Sequence, residues 1–281
     1  MNKIRGCFIT IVIIVFLSAI VFLCVSFPQN QQKGGGSLFS PSRDLLFLGL
    51  DEREDSGEFK GRTDTILILH IGGWGKKDSL ISIPRDTRVD LEGHGWNKIN
   101  AAYVYGGVDM IEGEIHELTA INIDRTMIVN FDGFKRIIDI LGGVEIEVTE
   151  PMHDPLSGAD FEPGTYNMDG EQALSFARCR ATARADIDRI GRQQYIIKEI
   201  IRQKANIAII PKLPQIIKVL NEETVSDFSL YDYFAISLIM LFSSEDLDRV
   251  IIPTEPANID GVSYLIANEE EVKEFLEPYI K

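Results

Sequence analysis

The sequence predicts an α/β protein, a three-layer α/β/α sandwich with a central mixed sheet, preceded by one N-terminal transmembrane helix. Short, nearly continuous apolar runs are typical of strands that are buried on both faces. These runs alternate with helical patterns, which places helices on both sides of a sheet. The N-terminal region also contains a long stretch without charge. With 281 residues, of which 45% are apolar and 25% charged, the composition is that of a globular protein.

The uncharged stretch covers residues 7–27 and has the length that spans a hydrocarbon core. Lys3 and Arg5 precede it and no basic residue follows before Lys33, which predicts a cytoplasmic N-terminus. A cleaved signal peptide is the alternative, but the run is long for one and lacks a small-x-small cleavage pattern. We therefore expect a single-pass cell-membrane protein with four segments: cytoplasmic residues 1–6, an anchor at 7–27, a flexible Gly/Ser/Pro-rich linker at 28–42, and one extracytoplasmic domain at 43–281.

Strands and helices follow from these patterns and from capping residues. Strands are predicted at residues 44–50, 63–71, 79–84, 125–131 and 144–148, and near 249–252 and 262–266. Helices are predicted at residues 107–120, from a cap at Asp132 to Gly142, from a cap at Asp169 to Arg180, at 186–206, near 212–220 and 229–242, and from about 268.

The most unusual segment is ARCRATARADIDRIGRQQ, which places five arginines between Arg178 and Arg192 in a chain of formal net charge −15. An acidic chain is a poor general binder of nucleic acid, which normally requires a basic surface. An anionic ligand would be repelled at long range, so it must be captured locally by clustered arginines, a metal ion, or both.

The 186–206 helix carries an apolar face that includes Ile190, Ile197 and Ile201, with Lys198, Glu199 and Arg202 opposite. Arg189 and Gln193 fall inside the apolar arc near the amino end of this helix. Such groups need buried partners or must face a cavity. Arg189 pairing with Asp186 or another carboxylate is one alternative. The neighbouring Arg178, Arg180 and Arg192, together with the helix amino terminus, favour an anion site.

Two strand ends carry further candidates. Arg62 and Asp64 stand at the start of one strand, and Arg85 and Asp86 follow another. Asp51 directly follows the first strand. Because ligands gather beyond the carboxyl ends of strands in open α/β sheets, we expect SIPRDTR to line the site. Carboxylates beside a phosphate site suggest Mg²⁺ or Mn²⁺, although Asp51 and Asp64 also suit turns or caps.

Six segments together resemble the signature blocks of the LytR-CpsA-Psr family, membrane-anchored proteins of bacterial cell-wall assembly. They occur in family order over residues 44–205: GRTDTILIL, SLISIPRDTRV, KINAAYVYGG, FKRIIDILGGVEIEV, MDGEQALSFARCR and DIDRIGRQQ. The resemblance implies a metal-dependent phosphotransferase. It would move a glycopolymer from a polyprenyl-pyrophosphate carrier to peptidoglycan, forming a phosphodiester link and releasing polyprenyl phosphate.

The resemblance also implies roles for individual residues. Asp51 and Asp64 match metal-binding carboxylates, and Lys98 and Asn100 match a further family block. The positions that match pyrophosphate contacts are Arg62, Arg85, Arg178, Arg180, Arg189, Arg192 and either Gln193 or Gln194. Asp186 matches a carboxylate near the site, but Asp188 stands where a glycine is usual, so the choice between these two aspartates stays open. Asp86 and Asp186 are the candidates for the general base, with Arg85 as the third catalytic residue.

Two other functions stay open. A non-catalytic regulator would bind polyprenyl pyrophosphate without chemistry, and a lipid pyrophosphatase would release free phosphate products. DNA binding is disfavoured by the predicted location and the charge. Trp96 lies in a Gly-rich segment, where contact with lipid or sugar is possible and ordinary loop packing is favoured.

Overall fold

The computed structural model describes residues 42–50, 61–72, 77–180, 185–204, 212–228, 232, 236 and 247–280. The anchor predicted at residues 7–27 lies outside these ranges, as does nearly all of the linker. Within the part of the chain that is described, no helix combines the length and the apolar character needed to cross a membrane. The anchor therefore stays a prediction from sequence.

A six-stranded sheet forms the centre of the fold. Its members are β1 (Arg43–Leu50), β2 (Thr63–Ile71), β3 (Ser79–Ser82), β6 (Arg125–Val129), β11 (Thr224–Ser226) and β12 (Asp248–Ile251), in the order β11-β6-β1-β2-β3-β12. β1 pairs in parallel with β6, as β3 does with β12, whereas β2 is antiparallel to both of its neighbours and β11 is antiparallel to β6. The predicted mixed sheet is confirmed. Four strands, β1, β3, β6 and β12, end at the same edge.

Six α-helices lie within the described residues. They are α1 (Ala102–Thr119), α2 (Phe131–Leu141), α3 (Gly170–Arg178), α4 (Ala185–Lys204), α5 (Leu213–Glu223) and α6 (Glu269–Ile280). α1 contains one non-helical residue, Gly107, with φ +66°, a value that glycine adopts without strain. The helix predicted at 107–120 therefore begins earlier, and the bend lies at its predicted first residue.

The two faces of the sheet are covered by different helices. On β1, Leu46 and Leu48 pack in the core that also contains Ile111 and Ile115 of α1 and Leu276 of α6. The other face, which includes Leu45, Leu67 and Leu69, packs against Ile201 and Ile197 of α4. Side chains of successive strand residues point to opposite faces, so continuous apolar strands fill both layers. This arrangement gives the three layers that the sequence predicts.

A second core lies beside the sheet. Ile138 of α2, Phe176 of α3 and Ile196 of α4 pack there with Ile146 and Phe161. The strands of this region are β7 (Val144–Val148), β8 (Met152–Asp154), β9 (Ala159–Phe161) and β10 (Gly164–Met168), which form the pairs β7–β10 and β8–β9. Two further hairpins pair β4 (Arg88–Leu91) with β5 (Gly95–Lys98) and β13 (Glu255–Ile259) with β14 (Val262–Ile266).

Three local predictions need correction. The side chain of Asn130, not of Asp132, caps α2 by accepting a hydrogen bond from Gly133 N, because the helix begins earlier and Asp132 lies inside its first turn. Glu199 is buried rather than exposed, since α4 packs on β7 as well as on the sheet. Trp96 lies in strand β5 rather than in a loop. The capping role predicted for Asp169 on α3 is confirmed as a capping box with Gln172.

Candidate active site

The candidate site lies at the edge where β1, β3, β6 and β12 end and β2 begins. Gly49 of β1 pairs with Thr65 and Leu50 with Thr63, which leaves Asp64 without a partner in the strand register. Such a bulge redirects a side chain at the end of a strand. Asp64 is thereby presented at this edge, and its side chain is 17% exposed.

Three arginines from separate segments converge on Asp64. Nη1 of Arg85, which follows β3, donates a hydrogen bond to Oδ1 of Asp64. Nη2 of Arg180, beyond α3, lies 4.0 Å from Oδ2. Nη2 of Arg189, in α4, donates to the backbone carbonyl of Asp64 at 3.4 Å. Two of these guanidinium groups thus approach the Asp64 carboxylate and the third approaches its backbone carbonyl, and guanidinium groups are the donors that suit phosphate oxygens.

Asp86 connects this cluster to the β4–β5 hairpin. Its Oδ1 lies 2.8 Å from Nζ of Lys98, the last residue of β5, and its Oδ2 lies 3.9 Å from Nε of Arg85. The segment between β3 and β4 is held in place by buried Thr87, whose hydroxyl donates to the carbonyl of Pro84 at 2.7 Å. Lys98, which the family resemblance singled out, is therefore part of the same charged cluster.

α4 contributes two buried arginines near its amino end. Arg189 and Arg192 are 2% and 7% exposed. Arg192 donates a hydrogen bond from Nη2 to the backbone carbonyl of Cys179, which attaches α4 to the residues that follow α3. Burial lowers the pKa of Arg192 from its ordinary value. Arg189 thus contacts the site directly, and Arg192 holds the adjoining segment.

The end of α3 carries the remaining two arginines. The guanidinium carbon of Arg178 lies 4.6 Å from the ring centroid of Phe131, the residue that begins α2. The backbone N–H of Arg180 donates to Oδ2 of Asp154 at 2.9 Å, and this hydrogen bond lowers the pKa of Asp154. Asp154 is a positioning residue that the sequence analysis missed. Its only signal was an Asp-Pro pair in a segment that reads as a turn.

The two glutamines of α4 differ in their surroundings. Gln194 is 4% exposed, and its Nε2 donates to Ser82 Oγ and to the carbonyl of Val250, each at 2.9 Å. These contacts join α4 to β3 and β12. Gln193 is half-buried and is the glutamine that remains a candidate for contact with pyrophosphate.

The structure therefore brings together Asp64, Arg85, Asp86, Arg180 and Arg189, with Arg178 and Arg192 in adjoining segments. Arg62 is exposed and directly precedes β2. Asp186 lies in the first turn of α4, and its side chain, like all of Asp51, lies outside the described residues. The roles implied for all these residues stay predictions.

The residues present fit a divalent cation of the magnesium type. Asp51, the other carboxylate implied by the resemblance, lies outside the described residues, so Asp64 is the candidate ligand that the structure describes. Oδ1 of Asp64 accepts from Arg85, whereas Oδ2 stands farther from its nearest arginine. One or two carboxylates completed by phosphate oxygens is the shell Mg²⁺ favours. Among the described residues, no three His, Cys, Asp or Glu side chains form a complete site by themselves.

A family model, sequence relatives and solved structures all relate this chain to the same protein family. The model of the LytR_cpsA_psr family matches residues 35–281. The polyisoprenyl-teichoic acid–peptidoglycan teichoic acid transferase TagU of Halalkalibacterium halodurans is 32% identical over 231 residues, 81% of this chain and 75% of TagU. TagT of Bacillus subtilis, of the same description, is 30% identical over 249 residues, 84% of this chain and 76% of TagT. The crystal structure of B. subtilis TagV superposes with a TM-score of 0.72 at 28% identity, covering 86% of this chain and 98% of TagV.

Proposed function

This chain belongs to the LytR_cpsA_psr family, and on that premise we propose that it transfers a glycopolymer from a polyprenyl-pyrophosphate carrier to peptidoglycan. The names of TagU and TagT, transferases of polyisoprenyl-linked teichoic acid to peptidoglycan, support this reaction class and this pair of substrates. The polymer is proposed as a teichoic acid or another secondary wall glycan.

The observation that carries the proposal is the convergence of Arg85, Arg180 and Arg189 on Asp64. A pyrophosphate diester carries two negative charges within a few ångströms. Guanidinium groups bind phosphate oxygens through paired N–H donors and keep their charge. Arg85 and Arg189, which are held by largely buried contacts, need little rearrangement when the charge of the transition state develops, which is how such groups accelerate phosphoryl transfer.

The proposed reaction is a single displacement at the phosphorus that carries the glycan. A hydroxyl oxygen of peptidoglycan forms the new P–O bond, and the bond from this phosphorus to the bridging oxygen breaks. Polyprenyl phosphate leaves with that oxygen, and the product is a phosphodiester. The hydroxyl proton goes to Asp86 or Asp186, the two proposed bases. Attacking and leaving oxygens stand roughly in line, so the site must hold both substrates at once.

A divalent cation, Mg²⁺ or Mn²⁺, is proposed to be held by Asp51 and Asp64. When bound, it would neutralise phosphate charge and orient phosphate oxygens. Arg85 then has two functions in the proposal: it fixes Asp64 through Oδ1 and presents its other N–H groups to the pyrophosphate.

The test uses the full chain in detergent with Mg²⁺, a labelled lipid-pyrophosphate oligosaccharide and peptidoglycan fragments. We expect the label to become attached to peptidoglycan as polyprenyl phosphate is released. Asp64→Asn and metal chelation should each abolish this transfer, and Mg²⁺ added after chelation should restore it. Asp86→Asn and Asp186→Asn distinguish the proposed bases, because the true base should show the larger loss of kcat.

The outcomes separate the alternatives. Binding of intact lipid without movement of the label would indicate a non-catalytic regulator. Release of free sugar phosphate without attachment to peptidoglycan would indicate a lipid pyrophosphatase. Transfer that continues undiminished after chelation would contradict the proposed metal requirement while leaving the transferase reaction in place.

A further inference from the structure

The outer face of the β4–β5 hairpin carries an exposed tryptophan next to the candidate active site. The register pairs Arg88 with Lys98 and Asp90 with Trp96, so these four side chains share one face. Val89 and Leu91, on the opposite face, are buried in the core shared with α1. The buried face of the hairpin is therefore fixed against the core, and Trp96 lies on the opposite, solvent-facing side with 57% of its surface exposed.

The indole of Trp96 is held in a defined orientation. The guanidinium carbon of Arg88 lies 4.1 Å from the centroid of the Trp96 ring, which covers one face of the indole. The same carbon lies 5.7 Å from the ring centroid of Tyr264 in β14. Strand β14 is fixed beside the hairpin by a hydrogen bond from Leu265 N to the carbonyl of Asp86 at 3.0 Å. An exposed aromatic ring with one face supported by a cation is preorganised to bind a ligand through its other face.

The hairpin places the Trp96 ring close to the charged residues of the candidate active site. Lys98 contacts Asp86 at 2.8 Å, and Asp86 neighbours Arg85. Trp96 precedes Lys98 by two residues on the same face, a separation of roughly 7 Å along the strand. A sugar ring over Trp96 is thus within one or two sugar units of the proposed reaction centre.

The surroundings of Trp96 suit a carbohydrate better than a lipid surface. Its neighbours on the hairpin face are Arg88, Asp90 and Lys98, which interrupt any continuous apolar patch and would be costly to bury in hydrocarbon. A sugar ring offers one face of C–H groups for the indole, and its hydroxyl and acyl groups can pair with the flanking charges.

We propose that Trp96, supported by Arg88 and Tyr264, forms a stacking subsite for the glycan strand of the peptidoglycan acceptor. This assignment rests on the proposed transferase function. Arg180 and Arg189 approach Asp64 from α3 and α4, whereas the hairpin packs on the other core, with α1. In-line displacement requires the attacking oxygen and the leaving lipid phosphate to lie on opposite sides of the phosphorus. With the carrier bound on the arginine side, the acceptor enters from the hairpin side.

Direct binding is tested first, independently of catalysis. The chain has two tryptophans, so Trp74→Phe leaves Trp96 as the only tryptophan reporter. The full-length variant in detergent is titrated with soluble, uncrosslinked peptidoglycan glycan strands while tryptophan fluorescence is recorded. We expect a saturable change. A lipid-free oligosaccharide of the transferred glycopolymer is the second probe and should produce none.

Steady-state kinetics provide the second measurement. Trp96→Ala should raise KM for glycan strands by about fivefold or more, as for truncation of a central aromatic contact, with KM for the lipid donor unchanged. Trp96→Tyr keeps an aromatic ring and should restore most of the affinity. Leu156→Ala removes a 93% exposed apolar side chain from a different loop and serves as the matched control.

The fluorescence and kinetic results together decide between the acceptor subsite and its alternatives. No fluorescence change with glycan strands, or an unchanged acceptor KM in Trp96→Ala, would overturn the proposal. A response only to the glycopolymer oligosaccharide would overturn the assignment to the acceptor and place donor sugars at Trp96. A saturable response to glycan strands without any transfer activity would leave the subsite standing and remove the proposed function.

Discussion

Oδ1 of Asp64 accepts a hydrogen bond from the guanidinium of Arg85, and the two side chains are only 17% and 16% exposed. This contact joins the start of β2 to the segment that follows β3. Since the pair is shielded from solvent, each side chain restricts the positions of the other. Arg85 and the carboxylate of Asp64 are thus fixed in the candidate site by the same interaction.

The first prediction concerns Arg85. Arg85→Ala should lower kcat/KM for glycopolymer transfer by about 10²–10³-fold, the usual loss when a preorganised charged donor is removed. Arg85→Lys keeps the charge without the fork of N–H donors and should recover only part of the rate. Arg249→Ala removes an exposed arginine from β12 and is the matched control. A normal rate in Arg85→Ala would contradict its assignment.

The second prediction separates Gln194 from Gln193. Gln194→Ala should lower the free energy of unfolding by about 1–3 kcal/mol, because buried groups of β3 and β12 lose hydrogen-bond partners. Gln193→Ala should leave stability unchanged and weaken binding of the lipid pyrophosphate. Denaturant unfolding and calorimetric titration of the two variants measure these effects. The reverse pattern would show that Gln194 is the ligand contact.

The third prediction concerns a buried ion pair in the sheet. Oδ1 of Asp232 lies 3.0 Å from Nη1 of Arg43, the first residue of β1, and Oδ2 lies 3.8 Å from Nε of Arg125 in β6. Asp232 is fully buried. Asp232→Asn should lower the free energy of unfolding by about 3–5 kcal/mol, because it removes the buried negative charge that faces the guanidinium groups of Arg43 and Arg125.

The comparison for Asp232→Asn is Asp132→Asn, which removes a 69% exposed carboxylate paired with Lys135 at 2.9 Å. Exposed pairs contribute little, so that variant should unfold at nearly the normal denaturant concentration. Equal effects of the two substitutions would mean that burial does not strengthen the Asp232 interactions.

The fourth prediction is a pH dependence of stability caused by Glu114. Burial in α1 raises its pKa to about 7, with the carboxylates of Glu117 and Asp90 adding to the shift. A raised pKa means that the folded state holds this proton more tightly than the unfolded state, whose pKa is near 4.5. The contribution is therefore fully present below pH 4.5 and is lost as pH rises through 7.

Glu114→Gln should remove this dependence, so the variant should gain stability relative to the unmodified chain at pH 8 and lose that advantage at pH 5. Urea unfolding at a series of pH values measures the effect. Glu171→Gln changes a 77% exposed carboxylate and is measured alongside as the matched control. A Glu114→Gln profile parallel to that of the unmodified chain would refute the raised pKa.

The long apolar strands were predictable from sequence, as were the shorter β7 and β14, whereas several short polar strands, among them β4 and β5, were not predicted. β2 begins and ends at the predicted residues because nine consecutive positions are consistent with a buried strand. β4, RVDL, alternates polar and apolar residues but is only four residues long, and β5, GWNK, does not alternate, so neither gives a clear strand pattern. The hairpin that carries Trp96 was missed for this reason.

The site shows the same limit. The arginines and Asp64 could be found because their residue types are unusual in those positions. The burial of Glu199 could not be predicted, because it depends on the packing of α4 against two cores at once. Arg202 and Gln203 donate hydrogen bonds to the buried Glu199 carboxylate. Asp154 acts on Arg180 through a backbone N–H, and a backbone hydrogen bond between distant residues leaves no pattern in the side chains.

The direction of β1 has a consequence for how the domain meets its lipid substrate. The strand enters the sheet at Arg43 and ends seven residues later, at Leu50, at the edge of the candidate site about 23 Å away. With the proposed anchor at residues 7–27, the 15-residue tether at 28–42 has a root-mean-square reach of about 21 Å. The edge of the candidate site therefore lies at the end of β1 farther from the proposed tether. With the proposed anchor in place, the site would reach a carrier headgroup at the bilayer only when the domain tilts on its tether, so one orientation would suit the proposed donor and another the proposed acceptor.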